Sequence, residues 1–292
     1  MKTVPRLAGV SIPEFAQQYL AGEGKPAIVT DAMSNWPARD WTFQLFREKY
    51  GSKIIQVSSA LADNTKSRWV RLDDYIDYVE HPERSALTAM SPDTPFYAYA
   101  YKPFSKHAEL RAAFDTPYFL DDWYRHLEEP LLSILNPGWL LLGGKNTVSR
   151  LHQDFLSTHT WFAQVKGVKD FLLFAPSDAP YLYGGAVDPR APDLERFPLF
   201  AQATGYQCTI GPGDVLCLPA DWWHHVVALE ESITLSFEFI NATNFSRFMT
   251  ALLRDLPSTV QRFLSLDALT ALGADWLCKG FMPRDAGAGK NA

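Results

Sequence analysis

Two positions apart, His152 and Asp154 are side chains whose types and spacing could hold a metal ion. The surrounding run favours β structure, and on a strand residues i and i+2 leave the same face, so the imidazole and the carboxylate can reach one ion. Such a pair arises often by chance, and alone it reads equally as a buried histidine bonded to a neighbouring carboxylate. A second block further along raises the metal reading. There His224 and His225 follow the turn Gly211-Pro212-Gly213-Asp214, a short apolar run and Trp222-Trp223, and they precede Val226-Val227-Ala228. One of these histidines would complete a set of two imidazoles and one carboxylate. That set suits non-haem Fe(II) in an oxygenase, because it leaves three neighbouring positions open for a co-substrate and dioxygen.

The two blocks resemble those of the Jumonji-C, cupin-type Fe(II)- and 2-oxoglutarate-dependent oxygenases, especially the small protein hydroxylases. The run from Trp161 to Lys169, followed by Phe171-Leu172-Leu173-Phe174-Ala175-Pro176, is similar to the family's second barrel segment. The run from Pro212 to His225 is similar to the segment that supplies its last histidine. Upstream, Lys25 to Val29, Asn35 to Ala38 and Trp41-Thr42 resemble the family's N-terminal lead-in, so the likeness covers most of residues 4 to 242. It implies a mainly β fold with flanking helices around a double-stranded β-helix, the jelly-roll core of cupins.

Carried over by position, the resemblance implies His152, Asp154 and His224 as iron ligands; the family's ligand directly follows the tryptophan, which selects His224 over His225. It implies Lys169 as the cation that grips the distal carboxylate of 2-oxoglutarate, and a buried lysine does need an anion. Ser149 takes the place of a threonine that often shares this carboxylate. Thr160 stands where several members have asparagine, a departure from the pattern. A tyrosine of the alternating run 96–101 should point its hydroxyl at the co-substrate; Tyr97 and Tyr99 share parity, so spacing leaves both open. With Fe(II), 2-oxoglutarate and dioxygen in place, the implied outcome is hydroxylation with release of succinate and carbon dioxide.

Around these residues, 292 positions with 47% hydrophobic content suffice for a large core, and the formal net charge of −6 with no basic run argues against nucleic acid. No apolar stretch reaches membrane-spanning length and the first residues lack a signal-peptide core, so a cytoplasmic protein is expected. Three cysteines without knuckle spacing read as reduced thiols. The chain divides into an α/β flank over 1–90, the catalytic barrel over 91–242, helices over 243–285 that could pair two subunits, and a disordered tail over 286–292. Helices are expected from Ser11 and over 41–50, 72–79, 107–114, 121–135, 245–256, 259–266 and 267–272. Strands are expected over 27–30, 54–58, 96–101, 139–144, 206–210, 215–218, 224–229 and 232–240.

Residues 175–205 form a long insertion rich in Pro, Asp and Gly, expected as a wall over the mouth of the site, with Tyr181, Tyr183, Arg190 and Arg196 as substrate contacts. In the last strand Ser236 and Glu238 share a face, and Trp223 adjoins the last ligand; these three are candidates for substrate or outer-sphere contacts. Glu238 stands where the family commonly has asparagine and, inside a barrel, needs a partner or a raised pKa. The expected substrate is a protein or peptide side chain. Alternatives are a small molecule, N-demethylation by the same chemistry, and a metal-binding cupin module without oxygenase activity.

Overall fold

The computed structural model describes residues 1–59, 67–91, 94–127, 131–136 and 138–255. Its strands are β1 (Lys2–Thr3), β2 (Arg6–Leu7), β3 (Ala27–Val29), β4 (Ile54–Ser58), β5 (Ser67–Arg71), β6 (Tyr97–Ala98), β7 (Trp139–Gly143), β8 (Val148–His152), β9 (His159–Lys166), β10 (Lys169–Phe174), β11 (Tyr206–Ile210), β12 (Val215–Leu218), β13 (Trp223–Ala228) and β14 (Ser232–Phe239). The helices are α1 (Ile12–Phe15), α2 (Phe43–Tyr50), α3 (Leu72–Glu80), α4 (Ala86–Met90), α5 (Ala108–Arg111), α6 (Leu131–Leu135) and α7 (Phe245–Asp255).

The strands form two sheets, one in the order β1-β11-β10-β13-β8 and one in the order β2-β3-β12-β9-β14-β7-β6-β4-β5. From β8 onward the chain passes back and forth between them, which is the winding of a double-stranded β-helix, as expected. Alternation along each strand sorts the side chains. Phe162, Leu216 and Leu218 from the larger sheet meet Phe171, Leu173 and Val226 from the smaller one and fill one end of the interior. The opposite face of the larger sheet, including Trp161, Leu235 and Phe237, packs under the helical N-terminal region in the main core. Strands of that N-terminal region extend the larger sheet at both of its edges.

Local chemistry explains the elements that frame the site. Ser11 and Thr42 cap α1 and α2, accepting the backbone N–H of Glu14 and of Leu45. Gly167, at φ +73, turns the chain from β9 in the larger sheet into β10 in the smaller one; a Cβ there would lie 2.0 Å from the Glu231 carbonyl oxygen, so only glycine lets the chain cross between the sheets here and set the position of Lys169.

Some expectations need correcting. The run 96–101 pairs only through Tyr97–Ala98, squeezed between β4 and β7. The helix expected over 121–135 breaks into a 3-10 turn, Trp123–His126, and α6. Asp122 caps the turn, and Leu127 is extended after it. The insertion holds three 3-10 turns instead of plain loop. Among the described residues no helix is long and apolar enough to cross a membrane. The helices expected beyond 255 and the tail 286–292 lie outside the described residues.

Candidate metal centre and co-substrate cavity

β8 and β13 are antiparallel neighbours, and their register sets His152 directly opposite His224. The two rings lie 4.1 Å apart between centroids. Asp154 follows the end of β8 in extended backbone, and its Oδ1 is 3.9 Å from His152 Nε2 and 3.8 Å from His224 Nε2. One ligand atom from each residue falls within 4.8 Å of the others, a separation one ion can bridge. The second nitrogen of each ring is already committed. His152 Nδ1–H donates to the Arg150 carbonyl at 2.6 Å and His224 Nδ1–H to the Trp222 carbonyl at 3.3 Å. These bonds fix the tautomer and leave both Nε2 lone pairs turned toward Asp154. Burial, with the neighbouring His152, lowers the His224 pKa to about 4, so its ring is the neutral form that ligates metal. The donor set and its outer bonds therefore fit Fe(II).

A β-bulge shapes this wall. Between His224 and Val226 on β13 there are two steps, whereas their partners on β8, His152 and Ser149, are three apart. Strict alternation would turn Ser149 away from His152. With the extra residue, both line the same cavity of about 200 Å³.

Lys169 lies across that cavity. It is 2% exposed, and its ammonium donates to the Tyr97 hydroxyl at 2.9 Å while sitting over the same ring. Burial drives its pKa down to about 7, and among the described residues no carboxylate offsets the desolvation. The Tyr97 hydroxyl is pushed up by burial and stays protonated. Tyr99 also lines the cavity, its ring 6.2 Å from that of Tyr97, but the lysine contact falls to Tyr97. Thr160 also lines the cavity, but its hydroxyl is bonded to Asp154 Oδ2, which orients the carboxylate instead of reaching Lys169.

Ser236 and Glu238 project into the cavity from β14. Glu238 is held well above the usual carboxylate range by burial and by the nearby Asp154, against a weaker pull from Lys102. In its protonated form this carboxyl donates as well as accepts. The remaining walls are apolar, including Phe162, Phe171 and Val226. Each stands two residues after Thr160, Lys169 or His224, so strand parity could have found them. Phe155, directly after Asp154, is 83% exposed at the mouth and had no signal in the sequence.

The sequence profile of the cupin-like domain matches residues 13–244. The chain belongs to this cupin-like family. Its likeness to the Jumonji-C oxygenases is supported by curated relatives. It is 30% identical over 251 residues to lysine-specific demethylase 8 of Danio rerio, covering 81% of this chain and 58% of that protein. It is 28% identical over 250 residues to the bifunctional peptidase and (3S)-lysyl hydroxylase JMJD7 of Homo sapiens, covering 73% and 76%. It is 24% identical over 277 residues to the arginine-specific demethylase JMJ20 of Arabidopsis thaliana, covering 86% and 59%. The chain spans about half the length of most of the relatives it matches.

In this cupin-like chain the structure does not bring Trp223, Tyr183 or Arg190 into the metal cavity. Trp223 has the opposite parity to His224 and packs with Leu151, Leu182 and Val187 on the outer face of the smaller sheet. The insertion covers that face. The Tyr183 hydroxyl accepts the Leu199 N–H, and Arg190 reaches Asp170 at 2.6 Å and the ring of His225 at 3.3 Å. Asp170 follows Lys169 on β10 and so points outward, and Arg190 follows it. This pair fastens the insertion to the barrel. Arg190→Ala leaves a buried carboxylate with Gln207 as its remaining side-chain partner. It is expected to lower stability in urea unfolding by about 1–3 kcal/mol while leaving metal affinity unchanged.

Proposed function

We propose that the chain is an Fe(II)- and 2-oxoglutarate-dependent oxygenase that hydroxylates a side chain of a protein or peptide and releases succinate and carbon dioxide. The observation that carries this reading is one cavity holding both an open two-histidine, one-carboxylate set and a buried lysine with no acidic partner among the described residues. His152, Asp154 and His224 would hold the iron. Bound Fe(II), with 2-oxoglutarate and dioxygen as co-substrates, would supply the oxidising power needed to break a C–H bond, one oxygen atom going to succinate and the other to the substrate. Lys169, with the Tyr97 hydroxyl beside it and Ser149 lining the same cavity, would receive the far carboxylate of the co-substrate. Thr160 keeps Asp154 oriented, and the apolar walls exclude water from the reacting centre. Relatives named as a lysyl hydroxylase and as lysine or arginine demethylases support a polypeptide substrate and leave hydroxylation and N-demethylation as neighbouring outcomes.

The test is an anaerobic titration of Fe(II) and 2-oxoglutarate into metal-free protein, followed by the visible metal-to-ligand charge-transfer band. A band that needs both additions supports the reading. Bound metal without a band favours a cupin module of another kind.

Glu238 would meet a basic or amide group of the substrate. A cation arriving beside it would draw the carboxyl into its ionised form, which glutamine cannot adopt. Glu238→Gln is expected to raise KM for a basic peptide about 10–100-fold with 2-oxoglutarate affinity unchanged. An unaltered KM and kcat would remove Glu238 from substrate contact.

The same reading keeps the division into flank, barrel and C-terminal helices, a cytoplasmic location, and a homodimer through residues 243–285. The described part of that segment, α7, already packs Phe248 and Ala251 against its own chain. A light-scattering mass near the 32.9 kDa of one chain would refute the dimer.

A further inference from the structure

A second cavity, of about 120 Å³, lies on the opposite face of the same β9–β14 wall. Its floor is Trp161 and Phe237, cross-strand partners with rings stacked at 4.9 Å. Their sequence neighbours Thr160 and Glu238 face the metal cavity, so the two spaces are separated by one layer of sheet. Phe104 and Phe114 complete the apolar side.

The polar side is unfinished. Tyr124 Oη, Asn136 Oδ1 and Trp161 Nε1 have no hydrogen-bond partner among the described residues, although these side chains are 1%, 8% and 2% exposed. Buried polar atoms are seldom left so, and three lining one cavity point to an occupant. The space is many times the ~10–15 Å³ that one water needs. Asp122 also lines it; one of its carboxylate oxygens accepts the Tyr124 backbone N–H. Arg111 and Arg125 line it too, as exposed cations.

The groups are of both kinds. Tyr124 O–H, Trp161 N–H and the guanidiniums suit an anion, whereas Asp122 and Asn136 Oδ1 would repel one. A simple cation fits no better, because the arginines stand beside the acceptors. A small zwitterion satisfies both sets at once. We propose that this cavity binds a small free amino acid, its ammonium group on Asp122 and Asn136 Oδ1 and its carboxylate on Tyr124 Oη, Trp161 Nε1 and Arg111. Burial lifts the Asp122 carboxyl to about 7, against the pull of Arg125 and Arg111, and an arriving ammonium group would restore its charge. Asn136 links the site to its neighbour, because its Nδ2 donates to the Glu238 carbonyl at 2.8 Å. An occupant is therefore held against the strand that carries Glu238.

The experiment is thermal unfolding of the metal-free full chain with each common L-amino acid to about 10 mM, beside carboxylates of matching size that lack the amine. A concentration-dependent rise in Tm with one or a few small amino acids, absent with the matched carboxylates, is the expected result. Isothermal titration should then show affinity at least about tenfold weaker in Asp122→Asn and in Tyr124→Phe, and unchanged in Lys169→Ala. Tyr124→Phe removes one oxygen and keeps the fold testable if Asp122→Asn does not express. No Tm rise with any amino acid would overturn the proposal and leave the cavity to water. So would equal binding of the amine-free carboxylates, or affinity lost in Lys169→Ala but kept in Tyr124→Phe, which would place the ligand in the metal cavity. None of these readouts depends on oxygenase turnover.

Discussion

His224→Ala and His225→Ala, changes at adjacent residues, are expected to give opposite results. Both side chains are buried, and burial is the first cause lowering the pKa of each to about 4, so acidity does not separate them. Their surroundings do. His224 faces His152 across the strand pair, with its free Nε2 3.8 Å from Asp154; the His225 ring accepts from the Arg190 guanidinium on the outer face. Losing even an outer-sphere partner of a metal ligand typically costs 10–100-fold in affinity, and removing one of three ligands costs more. His224→Ala is therefore expected to weaken Fe(II) or Co(II) binding by at least about 100-fold and to bring turnover below about 1%. His225→Ala should keep metal affinity within about twofold and lose about 1–2 kcal/mol of stability, because it takes one anchor from Arg190. Calorimetric metal titration and urea unfolding of the two variants make the check. Equal loss of metal in both would mean that the bulge at this register is read on the wrong side.

That bulge marks the limit of what the sequence could say about the site. His152 and Asp154 were legible because both fall near the end of one strand, and His224 because resemblance placed it after Trp223. Side-chain parity separated Ser236 and Glu238 from Leu235 and Phe237, and the two faces do open on different spaces. Parity fails for Ser149. Three residues before His152 it belongs on the other face of a regular strand, and only the irregular pairing with β13 turns both inward. Nothing in the composition of residues 148–152 announces an extra residue, since a bulge is a property of two strands together.

The insertion was misread for a related reason. Its length and its aromatic and arginine residues suggested a wall over the mouth, but length says nothing about which sheet face a segment covers. What decides the matter is that Leu151, Leu172, Phe174 and Trp223 leave a large apolar surface on the outside of the smaller sheet, and Leu182 and Val187 of the insertion bury it. Those outward positions are legible from alternation alone. The hydrophobic demand of that face was the better guide. The second cavity had no signal at all, because its lining comes from chain segments far apart, with Trp161 and Asn136 reading as ordinary core and loop residues.

Lys169→Ala is expected to weaken 2-oxoglutarate binding about 30- to 1,000-fold, the effect of removing one partner from a buried charged contact worth about 2–4 kcal/mol. Iron affinity should be unchanged, because the lysine touches Tyr97 and none of the three ligands. The pH dependence makes the assignment sharper. Without co-substrate the Lys169 pKa is lowered to about 7 by burial, so the ammonium form is complete below that pH and is lost as pH rises through it. A carboxylate bound beside it favours the charged form and raises the pKa. Binding at pH 8 must then take up close to one proton, and binding at pH 6 almost none. Affinity should fall by about tenfold per pH unit above 7 until the pKa of the complex is reached. Titration calorimetry in two buffers of different ionisation enthalpy counts the proton directly. Lys169→Arg, which stays charged across this range, should bind less tightly because the planar fork does not fit the lysine's place, yet with a flat pH profile. A wild-type profile that is flat between pH 6 and 9 would show that the co-substrate carboxylate is held elsewhere. A slope that survives in the arginine variant would assign the proton to another group in the cavity.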